Sequence, residues 1–254
     1  MTDRIKTALV TGGAKRIGRA IVEDLAANGF AVAIHCNQSA DEGAALAKEI
    51  ARAGGKATVL EADLTDMSEV AALIGRASAE LGPVGLLVNS ASIFRDDGPI
   101  DLDLAVLDRH FDIHLKAPVL LAGKLAAALP EGSEGLVVNI IDQRVWRLTP
   151  RYFSYTLSKS ALWTATQTLA QALAPKVRVN AIGPGPTMQS VHQQSADFDA
   201  QVDGLLLKRG PELGEFGATI RYLWEARSVT GQMIALDGGQ HLAWQTPDVT
   251  GMIE

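Results

Sequence analysis

Seven short apolar runs rich in Val and Ile punctuate this chain. They are "TALVTG" (7–12), "AVAIHC" (31–36), "KATVLEA" (56–62), "GLLVNSA" (85–91), "GLVVNII" (135–141), "VRVNAI" (177–182) and "MIALD" (233–237). Runs of this length without polar alternation read as strands buried on both faces. Between them lie longer Ala/Leu-rich stretches, at 17–28, 40–53, 67–81, 104–128, 153–174 and 212–226. A helix between successive strands is what a parallel crossover requires. The order predicts an α/β fold: a doubly wound parallel sheet with helices on both faces. In such sheets a ligand lies at the carboxyl ends of the strands. Thr11, Asn89, Asp142 and Gly183 all fall there.

No Pro-, Gly- or Ser-rich linker, fixed repeat or low-complexity tract divides the chain, so residues 1–254 are expected to form one domain. Residues 184–210 are the least regular stretch and are expected to be a lid over the site. Hydrophobic residues make up 47%, which supports a sizeable core and excludes disorder. The net charge is -6, with no Lys/Arg block, so nucleic acid is not the expected partner. No apolar run approaches the roughly 18 residues of a membrane span, and no membrane partner is expected. The apolar run at the N-terminus is too short for a signal peptide. Cys36 is the lone cysteine, which suits a reducing cytoplasm.

"TGGAKRIG" (11–18) joins the first strand to the first helix. Glycines let backbone N–H groups approach a phosphate, and a helix N-terminus adds a partial positive charge. The spacing is not GxGxxG: Gly12 and Gly18 remain, but Arg16 stands where a middle glycine would. Dinucleotide sites commonly place an acid at the end of the second strand, on the ribose 2′-OH. Here that strand ends "IHCNQS", with no acid before Asp41. A carboxylate there would repel a 2′-phosphate. Its absence, with Lys15, Arg16, His35 and Ser39 as donors, favours NADPH over NADH. Asp63, after the third strand, either accepts a hydrogen bond from adenine or caps a turn.

"YTLSK" (155–159) places Tyr155 and Lys159 on one helix face. Free tyrosine titrates near 10, and a neighbouring cation favours its phenolate, so the pair is expected to act in proton transfer. The chain resembles the short-chain dehydrogenase/reductases over nearly its whole length. The matching segments are "TGGAKRIG", "LVNSAS" (87–92), "YTLSK", "VRVNAIGPG" (177–185) and "VTGQMIALDGG" (229–239). The resemblance implies a single Rossmann-like domain, a seven-stranded sheet, a nicotinamide cofactor and a homotetramer. It makes Tyr155 the catalytic acid and has Lys159 grip the nicotinamide ribose. Together these readings put the cofactor against Gly12, Lys15, Arg16, Ile17, Gly18, His35, Asn37, Ser39, Asp63, Leu64, Asn89, Ala91, Ser92, Tyr155, Lys159, Pro184 and Gly185.

Most family members carry Ser where Asp142 stands, thirteen residues before Tyr155. An ionised aspartate donates no hydrogen bond to a carbonyl and repels a developing alkoxide. It suits instead a substrate rich in N–H groups or one that takes a proton on a ring nitrogen. The pteridine reductases resemble this pattern, with an Arg in the glycine turn, the Asp, and an aromatic after "NxAS". Phe94 in "NSASIF" matches that aromatic and would stack on a pterin. Arg16, Ser92, Asp142 and Tyr155 would complete the substrate site. The wider family has Asn where His114 stands, and dihydromonapterin reductases tolerate His there. His114 either keeps a catalytic proton relay or is a hydrogen-bonded core histidine. With His110 it makes an i,i+4 pair, but no third ligand accompanies them, so no metal is expected. Trp146 and Arg147 either border the pocket or lie in surface contacts. Met188 and Phe198 fall in the lid, and the tail 240–249 is a candidate subunit contact. The leading expectation is an NADPH-dependent pterin reductase acting on a small molecule. Its rivals are a 3-oxoacyl-thioester or other carbonyl reductase and a non-catalytic NADP-binding sensor.

Overall fold

The computed structural model describes residues 4–189 and 195–246. Seven strands form one parallel sheet: β1 (Thr7–Thr11), β2 (Ala31–Cys36), β3 (Lys56–Glu61), β4 (Leu86–Asn89), β5 (Gly135–Ile140), β6 (Val177–Pro184) and β7 (Met233–Leu236). Their spatial order is β3-β2-β1-β4-β5-β6-β7. Among the described residues, eight α-helices accompany them: α1 (Arg16–Ala27), α2 (Ala40–Arg52), α3 (Met67–Leu81), α4 (Leu104–Phe111), α5 (Ala117–Ala128), α6 (Phe153–Leu173), α7 (Ser195–Asp203) and α8 (Leu213–Glu225). The order reverses between β1 and β4, the switch point where a crevice opens beyond the strands. This is the doubly wound, Rossmann-like architecture the apolar runs predict.

The central strands β1, β4 and β5 are buried at every residue, whereas edge strand β3 is mixed. One apolar cluster packs α1 and α8 on one face of the sheet, around Ile21, Leu25, Phe216 and Ile220. A second packs α3 and α5 on the other, around Leu73, Ile74, Leu121 and Leu125. Both faces are therefore dry, which is why these strands carry no polar alternation.

Two elements differ from expectation. The stretch 104–128 is not one helix: α4 and α5 are separated by a π turn at Asp112–Lys116, where the Ala117 N–H donates to the Asp112 carbonyl five residues back. Pro118 has no N–H for the carbonyl four residues before it, and the hydrogen-bond register shifts just ahead of it. That turn carries His114. The irregular stretch 184–210 contains α7, which its polar, short sequence does not announce. Residues 190–194 of that stretch, and 247–249 of the C-terminal tail, lie outside the described residues.

Candidate active site

A cleft of about 570 Å³ lies beyond the carboxyl ends of β1, β4, β5 and β6. On one side it is walled by the glycine turn. Gly12 adopts φ +63°, and a Cβ there would meet the Ala91 Cα at 2.8 Å. A Cβ on Gly18 would meet the Gly12 carbonyl oxygen at 2.1 Å. Only glycine lets turn and helix close this tightly. The first turn of α1 has neither a side-chain cap nor an acidic residue, so its N–H groups remain available to an anion. Thr11 Oγ1 accepts from the N–H groups of Ser90 and Ala91, at 3.0 and 3.1 Å, and fastens the loop after β4 to β1.

Arg16 holds φ +52°, a conformation that costs an L side chain about 1 kcal/mol. Its guanidinium reaches across the cleft and donates to the carbonyls of Met188 and Gln189, at 3.2 to 3.3 Å. Lys15 is bound to Glu42 at 2.7 Å. Glu42 stands in the first turn of α2, one residue past Asp41.

His35 is corrected as a phosphate donor. Its ring is buried beneath the turn, with Nδ1 accepting the Gly12 N–H at 3.2 Å and Nε2 against the Ala62 carbonyl at 3.1 Å. Burial lowers its pKa to about 4, so it is neutral, and no N–H faces the cleft. Asn89 is corrected as well. Its side chain turns into the sheet and donates to Asn139 Oδ1 at 2.8 Å, while its neighbours Ser90, Ala91 and Ser92 line the cleft. Asn37, Ser39, Asp63 and Leu64 lie beyond the ends of β2 and β3, outside the cleft wall itself. Asp63 accepts from the Thr65 backbone and hydroxyl, both at 2.9 Å, the turn-capping alternative.

On the other side stand Asp142, Tyr155 and Lys159, all lining the same cleft. The Tyr155 hydroxyl donates to Asp142 Oδ2 at 2.9 Å. Asp142 Oδ1 takes the Arg144 backbone N–H at 2.8 Å, which caps a short 3₁₀ turn at Gln143–Val145. Lys159 donates to the Ile140 carbonyl at 2.8 Å. Loss of hydration raises the Asp142 pKa and raises that of Tyr155 well above the usual phenol range, the Asp142 charge adding to the latter. Burial lowers Lys159 to about 8. Tyr155 is therefore a neutral phenol, not a phenolate drawn out by Lys159. The neutral phenol is the form that can give a proton away.

Phe94 stacks on Tyr152, with centroids 4.1 Å apart, and meets Tyr155 edge-on at 4.8 Å. Tyr152 holds φ +55° at the start of α6, where Asp97 supplies the missing cap by accepting the Ser154 N–H at 3.0 Å. Met188 and Phe198 line the cleft with Pro184 and Gly185, as a covering segment would. Trp146 and Arg147 do not line it. Trp146 packs on Trp163 and His241, and Arg147 donates to the carbonyl of Gln240, itself a cleft residue.

His114 makes the contacts of a hydrogen-bonded core histidine, the second of the two readings of it. It is buried, with Nε2 accepting the Ile93 N–H at 3.1 Å and lying 3.0 Å from Ser92 Oγ. Its Nδ1 meets Ser158 Oγ at 2.9 Å, and that hydroxyl donates to the Tyr155 carbonyl. Both nitrogens are spent on protein groups, and burial holds the ring neutral. Sequence reasoning missed Arg144, Tyr152 and Ser158. Ser158 had a signal, one residue before Lys159 on the catalytic helix. Tyr152 had none, because its ring reaches Phe94 only through a left-handed backbone.

A glycine turn at the switch point and a Tyr–Lys pair on the facing helix define a nicotinamide-type oxidoreductase site. A family model described as short chain dehydrogenase matches residues 6–200. The chain belongs to the short-chain dehydrogenase family. It is similar to the solved FolM alternative dihydrofolate reductase 1 of Brucella suis, in complex with NADP: 63% identity, TM-score 0.94, 96% of this chain and 98% of that one. The Brucella canis protein, complexed with NADP, is 61% identical with TM-score 0.96, covering 98% and 100%. A curated relative, the 3-oxoacyl-[acyl-carrier-protein] reductase FabG of Staphylococcus epidermidis, is 28% identical over 242 residues, 93% of this chain and 99% of its own.

Proposed function

We propose that this enzyme is an NADPH-dependent reductase of a pterin-type substrate such as a dihydropterin or dihydrofolate. The observation that carries the reading is the carboxylate of Asp142 bonded to the Tyr155 hydroxyl, where a carbonyl reductase would present a second hydroxyl. The NADP complexes of the two Brucella proteins support the cofactor. The residues fit it: the uncapped N-terminus of α1 suits a pyrophosphate, with Gly12, Ile17 and Gly18 leaving room for it. Lys15, Asn37 and Ser39 would surround a 2′-phosphate, Lys15 exchanging Glu42 for it. Pro184, Gly185 and Lys159 would hold the nicotinamide end.

When bound, the reduced nicotinamide supplies the hydride. Phe94 presents a flat face for the pterin, its other face being occupied by Tyr152. Tyr155 donates a proton to the ring nitrogen beside the carbon that is reduced, so a C=N bond becomes CH–NH. The phenolate left behind next to an ionised Asp142 would be costly. Asp142 offsets this by its readiness to hold a proton itself, and Lys159 by its charge. Arg16 and Ser92 complete the substrate wall. The reading extends to one domain over residues 1–254, a covering role for the irregular 184–210, a cytoplasmic setting that suits the lone Cys36, and the homotetramer that the resemblance implies.

The test is NADPH oxidation by the purified protein with 7,8-dihydrobiopterin and 7,8-dihydrofolate, against an acetoacetyl thioester, with NADH in parallel. Turnover of the pterins with NADPH is expected. Turnover of the thioester alone would return the protein to the carbonyl reductases, and no turnover of any substrate would favour a sensor.

A further inference from the structure

Arg144 is the one cleft-lining cation whose side chain makes no hydrogen bond or ion pair among the described residues, although its charge acts on Asp142 and lowers the pKa of that carboxyl against the larger rise from burial. Lys15 is held by Glu42, Arg16 by the carbonyls of Met188 and Gln189, and Lys159 by the Ile140 carbonyl. Arg144 makes no ion pair among the described residues, and its buried Nη1 has no hydrogen-bond partner. Its guanidinium carbon lies 5.2 Å from the Phe94 centroid and 5.2 Å from the Tyr152 centroid, rings that are themselves 4.1 Å apart. These distances put it beside the seam of the stacked pair. Arg151 adds a second cation 5.6 Å from the Tyr152 ring. The backbone N–H of Arg144 is bonded to Asp142, so its position is fixed relative to the reacting groups. A guanidinium held against aromatic rings is weakly hydrated and pairs strongly with a carboxylate.

We infer that Arg144, on the Phe94–Tyr152 pair and backed by Arg151, binds a carboxylate carried by the substrate outside its stacked ring. This rests on the pterin reading and narrows it to pterins with an acidic tail. A ring stacked on Phe94 would leave its substituent at the edge of that side chain, where Arg144 stands. Phe94 is 37% exposed, so part of its side chain is open to a substrate.

The experiment compares 7,8-dihydrofolate, whose tail carries carboxylates, with 7,8-dihydrobiopterin, whose tail is uncharged. The readout is the ratio of the two kcat/KM values, which cancels any general damage to the site. Arg144→Gln is expected to lower the dihydrofolate preference at least tenfold, chiefly through the dihydrofolate KM. Arg144→Lys, which keeps charge without the planar fork, is expected to retain part of the preference. The parent's KM for dihydrofolate should also rise with salt more steeply than that for dihydrobiopterin. If Arg144→Gln slows both substrates and the ratio stays within twofold, Arg144 only props the rings and the inference is overturned while the pterin reading stands. If the parent reduces neither pterin, both fall together.

Discussion

Two buried histidines brace the two walls of the cleft, and they do so as opposite tautomers. His35 lies under the glycine turn, its Nδ1 accepting the Gly12 N–H, so its proton is on Nε2 and faces the Ala62 carbonyl. His114 lies under the loop after β4, its Nε2 accepting the Ile93 N–H, so its proton is on Nδ1 and goes to Ser158. In each case a backbone amide, which can only donate, decides which nitrogen is bare. His35 touches main chain alone and fixes the shape of one turn. His114 is tied through the Ser158 hydroxyl to the carbonyl of Tyr155 and so to the reacting residue itself. One wall is a mould for an anion. The other is a hydrogen-bonded frame that aims a phenol.

The largest expected effect separates the aimed group from its frame. Tyr155→Phe removes the donor but keeps the ring that packs against Phe94 and His114. General acid catalysis contributes about 10²–10⁴-fold, and a fall in kcat of that size is expected. Cofactor affinity, read by quenching of protein fluorescence on NADPH titration, should change less than about threefold, since the glycine wall is untouched. A variant that turns over pterins at the parent rate would show that the phenol is not the acid.

The strands and the order of the elements were legible because a sheet buried on both faces leaves continuous apolar runs that nothing else in the chain imitates. The convergence of Asp142, Tyr155 and Lys159 followed from the same order, since strand ends and the helix after β5 must meet at the crevice. His35 and Asn89 were misread, and His114 was left open, for a common reason. Sequence gives a residue's type and place but not which way its side chain leaves a strand or a π turn. His35 and Asn89 point into the sheet, and the π turn aims His114 at two loops. The 3₁₀ cap that fixes Arg144 beside Asp142 is equally silent, because a three-residue turn leaves no periodic pattern.

Acid should weaken the two walls in the same sense. His35 has a folded pKa of about 4 against about 6.5 when unfolded. Above pH 6.5 both states are neutral and the group contributes no slope. As pH falls from 6.5 to 4 the unfolded chain takes up a proton that the folded ring refuses. Stability is lost across that window, by about 3 kcal/mol from His35. His114, also held neutral by burial, adds a loss of the same sign. Asp142 acts oppositely, because its raised pKa lets the folded state accept a proton first. Urea unfolding at a series of pH values should show the parent losing about 3 kcal/mol more than His35→Gln between pH 6.5 and 4. Parallel curves for the two would mean that His35 is hydrated and charged in the folded protein.

The smallest expected effect tests why the glycine wall contains an arginine at all. Arg16 occupies a left-handed conformation that costs about 1 kcal/mol, and glycine at that position would relieve it. Glycine also loosens the unfolded chain, which offsets about 0.4–1 kcal/mol of that gain. Arg16→Gly should therefore leave the unfolding free energy within about 0.5 kcal/mol of the parent. What it removes is the guanidinium that spans the cleft to the carbonyls of Met188 and Gln189. The KM for a dihydropterin at saturating NADPH should then rise several-fold, with kcat changed less. A variant markedly more stable than the parent, with the same KM, would mean that this side chain is strain without a task. The glycine wall would then be a mould for the cofactor alone, and recognition of substrate would fall entirely to the wall that carries Asp142, Phe94 and Tyr155.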